Sequence, residues 1–161
     1  MPLSNRLDVL QKLTSFLKQI TVANGYQHEL ATSVFRGRAL FGSDDPIPMI
    51  SILESPRSDV GIFAGSNERK EQWSLLIQGW THDDIANPTD PAYELMADVE
   101  RHLEKITECS TANGQPLHPD DYLLGRSIAD MRVHPGVVRP PMEGVSSKAF
   151  FYLPVSLTLV K

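Results

Sequence analysis

The stretch IQGWTHDDIANPTDPAYELMADVERHLEKI, residues 77–106, joins two hydrophobic periodicities through one acidic turn. On its upstream side Trp73, Leu75 and Ile77 recur at every second position, the repeat of a half-buried strand over residues 71–80. On its downstream side Leu95, Met96, Val99, Leu103 and Ile106 recur at three-or-four spacing, which is one face of a helix. Asp90 supplies an N-cap oxygen and Pro91 suits the first turn, so a helix is expected from residue 90 to about residue 106. Asp98, Glu100, Arg101 and Glu104 would then face solvent.

The same two repeats organise the flanks. Leu7, Leu10, Leu13, Leu17 and Ile20 mark a first helix that Ser4 or Asn5 can cap, that continues to about Val22 and that Asn24-Gly25 ends. Residues 32–41 read as a short strand, followed by a turn at residues 42–46. In residues 48–55, Ile50 and Ile52 face one way and Met49 and Leu53 the other, which suits a central strand. Residues 122–133 carry a weaker strand pattern. The cleanest alternation closes the chain: Phe151, Leu153, Val155, Leu157 and Leu159 share one face of residues 149–160. Pro154 lacks a backbone donor, which fits an edge strand or a position whose N–H faces outward. Two segments with little periodicity, 56–70 and 134–148, read as long loops, and the first could also be a hairpin tip.

This order predicts one α+β domain over residues 1–161. A mostly antiparallel sheet of about four to five strands would carry two main helices on one face. A chain of 161 residues can bury enough apolar surface to fold without a disulfide or a metal. The single Cys109 rules out an intrachain disulfide and implies a reducing compartment. The net charge of −5 argues against a dedicated nucleic-acid binder, which would show a basic face. The N-terminus does not read as a signal peptide, and no apolar run reaches the ~20 residues of a membrane span. A soluble protein made inside the cell is expected.

Motifs for chemistry are sparse. No P-loop, dinucleotide fingerprint or nucleophile elbow is present. The runs THDD (residues 81–84) and HPDD (residues 118–121) have two readings. His82, Asp83, Asp84, His118, Asp120 and Asp121 could jointly hold a divalent ion for hydrolysis, or both runs could be polar turns whose aspartates bond backbone N–H groups. The turn reading is preferred, because neither run has a hard cation's usual ligand count. Neither cofactor nor metal is expected. Contact surfaces have better candidates: Arg36 and Arg38 around a glycine, Ile62 and Phe63 in a polar segment, Trp80 beside Gly79, and Arg139. On an alternating strand a Trp more commonly fills the core, and Trp80 suits that reading as well as a subunit contact.

Several segments, taken in order, carry a family resemblance. They are RLDVLQKLTSFLKQI, VFRGRALFGSDDPIPMISILE, WSLLIQGW, DPAYELMADVERHLEKI and FFYLPVSLTLV. Together they resemble the tail-terminator (tail-completion) proteins of long-tailed bacteriophages, over roughly residues 5–107 and 148–160. The resemblance implies a structural virion protein and not an enzyme. Its copies would form a homo-hexameric ring that caps the tail tube protein and meets the head connector or neck protein. Genomic DNA would pass through the lumen without sequence-specific binding, and no membrane would be involved. The protein would reside at the head–tail junction of the virion, and in the host cytoplasm during assembly. A neck or head-closure protein of the same particle is the related alternative, and a small metal-dependent hydrolase is the alternative of another class.

Overall fold

The computed structural model describes residues 5–38, 46–62, 69–141 and 148–160. Among them the chain is an α+β domain built on one sheet of six strands. The strands are β1 (Val34–Arg36), β2 (Met49–Ile62), β3 (Arg69–Thr81), β4 (Asp130–Val133), β5 (Val137–Arg139) and β6 (Ala149–Val160). They lie in the order β1-β2-β3-β6-β4, with β5 also paired to β6. Only β1–β2 is parallel.

Helices α1 (Asn5–Leu17) and α2 (Asp90–Glu104) share a single core with one face of this sheet. Ile50 and Ile52 of β2, Trp73, Leu75 and Ile77 of β3, and Phe151 to Leu159 at every second position of β6 form the sheet's half of that core. The opposite face has its own small cluster. Met49, Trp80 and Phe150 lie in one row across three strands, with Phe35, Ile47 and Tyr152 packed around them.

Several sequence expectations hold, and others shift for identifiable reasons. The buried stripe of α1 runs through Val9, Leu13, Phe16, Leu17 and Ile20, while Leu7 is exposed and Leu10 half-buried. Val9 and Phe16 turn the face by roughly a sixth of a turn, and the Phe16 ring stacks on His102 of α2. Beyond Leu17 the chain tightens through a 3-10 turn at Val22–Asn24, capped by the Thr21 hydroxyl, and Gly25 ends it at φ +92°. The Asn24-Gly25 pair thus takes the left-handed φ expected of it but ends this separate turn, since α1 itself stops at Leu17, short of the expected end near residue 22.

Most of segment 56–70 forms the arms of an antiparallel β2–β3 hairpin, the second of the two readings above, and not a long loop. Strand β2 continues to Ile62 and β3 begins at Arg69, with a register irregularity between Glu54 and Ser58. Phe63 lies outside the described residues. Likewise 134–148 contains β5, and residues 142–147 lie outside the described set. The strand expected over 122–133 forms only at Asp130–Val133. Before it, Leu123, Leu124, Gly125 and Arg126 all take left-handed φ values of 51°, 52°, 70° and 65°. Apolar residues at 123, 124 and 128 imitate a strand pattern but belong to a left-handed turn that docks on α1 and α2.

Pro154 does not mark an edge. Strand β6 is central, paired with β3 along its whole length and with β4 and β5 on its other side. The Pro154 carbonyl accepts the His134 N–H at 2.9 Å, on the β4/β5 side. Backbone N and O of one strand residue point the same way. The missing donor therefore faces the break between β4 and β5, where no ladder bond is lost.

Gly79 is likewise fixed by packing. It pairs with Phe151, and a Cβ at this position would lie 2.1 Å from the Phe151 ring. Gly79→Ala should therefore destabilise the protein by about 2 kcal/mol, the range for overpacking a core. Urea unfolding measures this, and adding Phe151→Leu should recover part of the loss.

Candidate functional site

The structure separates the two His-Asp runs. THDD leaves β3 and precedes the first turn of α2, whereas HPDD follows the last turn, and α2 has 15 residues, about 22 Å. They cannot share one ion. In the first run the Asp84 carboxylate accepts the Asn87 N–H at 3.0 Å, and His82 Nδ1 lies 3.4 Å from Lys148 Nζ. In the second, the His118 carbonyl accepts the N–H groups of Asp121 and Tyr122, while its ring lies 3.4 Å from Glu108. Both aspartate pairs are thus parts of turns, and Asp84 is seen bonding a backbone N–H as the turn reading expects. Among the described residues no group of three or more His, Cys, Asp and Glu is placed to hold a metal ion.

Beside HPDD an open cleft of about 380 Å³ lies between α1 and the left-handed turn, lined by Asp8, Lys12, Phe16, Asp120, Asp121 and Leu124 among others. Lys12 pairs with Asp8 at 3.0 Å and also donates to the Ser127 hydroxyl. The cleft is a seam between elements whose charges are partly matched within the chain.

A buried polar network lies behind it, and sequence reading missed it. Asp98 is only 5 % exposed, although its helical position suggested solvent. Its Oδ2 accepts the Gln27 N–H at 3.0 Å, the His28 N–H at 3.1 Å and His28 Nδ1–H at 2.7 Å. One turn later His102 is 2 % exposed. Its Nε2 lies 2.7 Å from the Phe16 carbonyl, and its Nδ1 lies 2.7 Å from the Tyr26 hydroxyl. A carbonyl only accepts, so Nε2 carries the proton and Nδ1 accepts from Tyr26. The Phe16 ring stacks on the imidazole at 4.0 Å, and Arg101 covers the Tyr26 ring at 4.7 Å. The i, i+4 spacing of Asp98 and His102 was the available signal, since both lie beside the buried Leu95–Val99–Leu103 stripe.

Asp98 and His28 form an acid–imidazole pair of the kind that orients catalytic histidines. Here the carboxylate also holds two backbone amides, and the pair pins residues 26–30 onto α2. Its evident work is to anchor that loop.

The contact candidates fall in two zones. Arg36 is exposed at the end of β1, and Arg139 is exposed on β5 beside Phe150. Arg38 stacks on Phe35 at 4.8 Å, and its backbone N–H donates to the Ser51 hydroxyl. Trp80 is 2 % exposed and packed within the chain, so it has little surface to offer a partner. Ile62 is the last residue of β2. Neither a protein-family model nor a curated protein matches the chain.

Burial, opposed in part by the Phe16 carbonyl, pushes the His102 pKa down to about 4, and nearby Lys105 and His118 act in the same direction against Asp121. The unfolded chain therefore binds a proton at this histidine between pH 6.5 and about 4 that the folded chain refuses. Its contribution to stability is complete above pH 6.5 and falls with pH through that window, by at most about 1.4 kcal/mol per pH unit. Chemical unfolding at stepped pH, compared with His102→Gln, isolates this slope. Asp98→Ala should cost about 2–3 kcal/mol at neutral pH, since it orphans two backbone donors and an imidazole.

Proposed function

We propose that the chain is a structural subunit of a long-tailed phage particle, a tail-terminator (tail-completion) protein that closes as a ring on the tail tube and presents a surface to the head connector. The reading is carried by a sheet that has helices on one face only. Its other face bears Met49, Trp80 and Phe150 with half-buried Leu53, Leu76, Tyr152 and Pro154, and neither helix covers it. Met49, Trp80 and Phe150 are themselves buried beneath Phe35, Ile47 and Tyr152. Among the described residues Leu53, Leu76, Tyr152 and Pro154 are half-buried and Val137 is exposed, a partly apolar strip suited to contact with other subunits. The segments that carry the family resemblance supply the elements of that sheet and both helices: β1 and β2, β3, β6, α1 and α2.

Because the two His-Asp runs sit at opposite ends of α2, the hydrolase alternative would have to work from His82, Asp83 and Asp84 alone. A neck or head-closure role in the same particle draws on the same features and differs only in the ring to which the subunit binds.

Tail tubes assembled without this protein should run to irregular lengths and carry no heads. Adding the purified protein should place a ring at the tube end, visible by negative stain, and restore joining to heads. Tubes that terminate and join normally in its absence would refute the assignment. A ring found on the connector but never on the tube would move the protein to the neck.

A further inference from the structure

Between Ile20 and Leu30 the chain forms a loop closed at its base. The Leu30 N–H donates to the Ile20 carbonyl at 2.8 Å, and both side chains are fully buried. A loop whose ends are pinned close together can open while the rest of a fold stays intact. Residues 21–29 belong to no strand, and their one regular element is the 3-10 turn Val22–Asn24. Val22 to Gly25, Gln27 and Glu29 are exposed.

What holds this loop down is α2. Asp98 Oδ2 accepts from the N–H groups of Gln27 and His28 and from the His28 imidazole. The Arg101 guanidinium donates to the Gly25 carbonyl at 3.1 Å, and His102 accepts from the Tyr26 hydroxyl.

The Asp98 and His102 anchors respond differently to acid. His28 Nδ1 donates to Asp98 with or without a second proton on the ring, so acid costs that anchor no bond. His102 has no place for a second proton. Its Nε2–H is committed to the Phe16 carbonyl, and its Nδ1 already accepts from Tyr26. A proton on Nδ1 would meet the hydroxyl hydrogen, and Tyr26, only 4 % exposed, has little water toward which to turn it. The charges nearby mostly oppose an imidazolium. Arg101 and Lys105 of α2 lie over the Tyr26 ring at 4.7 and 5.5 Å, and His118 in the connection after α2 acts in the same sense as Lys105. Asp121 of that connection favours the charge, whereas Asp98 is already bonded to the loop. From α1 the ring meets only the Phe16 carbonyl and side chain.

We propose that residues 21–29 are an acid-released latch, hinged at Ile20 and Leu30. The proton that His102 refuses while Tyr26 covers it is accepted once the loop lifts from α2, so acid favours the open loop. What opens is this segment alone, with the sheet and both helices in place, and the device does not depend on the ring reading above.

Amide hydrogen exchange of the full chain at pH 7 and pH 5, corrected for the intrinsic pH dependence of exchange, tests the latch. With His102 at about 4 in the closed form and near 6.5 when uncovered, the open fraction should rise roughly twentyfold between those conditions. The Gln27 and His28 amides should lose that much protection, while Leu30 and the β3–β6 ladder stay more protected at both pH values. His102→Gln can keep a donor toward Phe16 and an acceptor toward Tyr26, and should cut the change to less than about threefold. In the wild type the His102 ring, followed by NMR of its Cε1 proton, should titrate near pH 4. Protection at Gln27 and His28 that does not change with pH would overturn the latch, as would exchange of the loop in step with the β3–β6 ladder. A pH response that survives in His102→Gln would do the same. Should that variant not fold, the wild-type titration decides, and a midpoint at the ordinary histidine value overturns the proposal.

Discussion

The ladder between β3 and β6 is the constraint on which the other elements depend. Twelve consecutive residue pairs, from Lys70↔Val160 to Thr81↔Ala149, lock two strands in one register. A slip of one residue would send Leu153, Val155 and Leu157 to the outer face and their polar neighbours into the core. Once this register is set, β2 adds to one side of the pair and β4 and β5 to the other. The helices then have one continuous apolar surface to cover. Gly79 and Phe151 show how tight the fit is, since the ring of one occupies the space of the other's absent side chain.

A second device ties the helix layer together. Apolar contacts alone allow α1, α2 and residues 26–30 to slide relative to one another, because burial has no direction. Asp98 and His102 remove that freedom. They sit one helical turn apart on α2 and bond, respectively, to the 27–28 backbone and to Phe16 and Tyr26. Such groups are costly to bury alone, but every member found here has a partner, which is the condition for a polar network to stabilise.

These two devices differ in how far they could be read from residue order. Alternation in β3 and β6 and the three-or-four spacing in α2 are strong local signals, so the sheet's centre, its helical face and the α+β class were legible. Asp98 was misread because solvent exposure was inferred from residue type, and a carboxylate buried by bonding a loop some 70 positions away leaves no local mark. The His-Asp runs raised the reverse problem: similar words in the sequence were parted by the length of a helix. Pro154 suggested an edge strand or an outward-facing N–H position for a sound reason, namely its missing donor. The break between β4 and β5, invisible in sequence, let it occupy the centre.

Backbone strain in this fold is concentrated away from the outer face. Three non-glycine residues in the left-handed turn Leu123–Arg126 each cost about 1–2 kcal/mol relative to right-handed backbone. They persist because their surroundings over-determine them. The Leu123 N–H donates to the Ile106 carbonyl at 2.8 Å, Leu124 and Ile128 are buried, and Arg126 lies over the Tyr122 ring at 5.4 Å. The turn carries the chain from the end of α2 back to β4, so its geometry is imposed by topology. Strain of this kind is tolerable only where packing is dense, which is the helix layer. Among the described residues no strand carries left-handed backbone, and the one register irregularity in the sheet's ladders lies between Glu54 and Ser58 of β2.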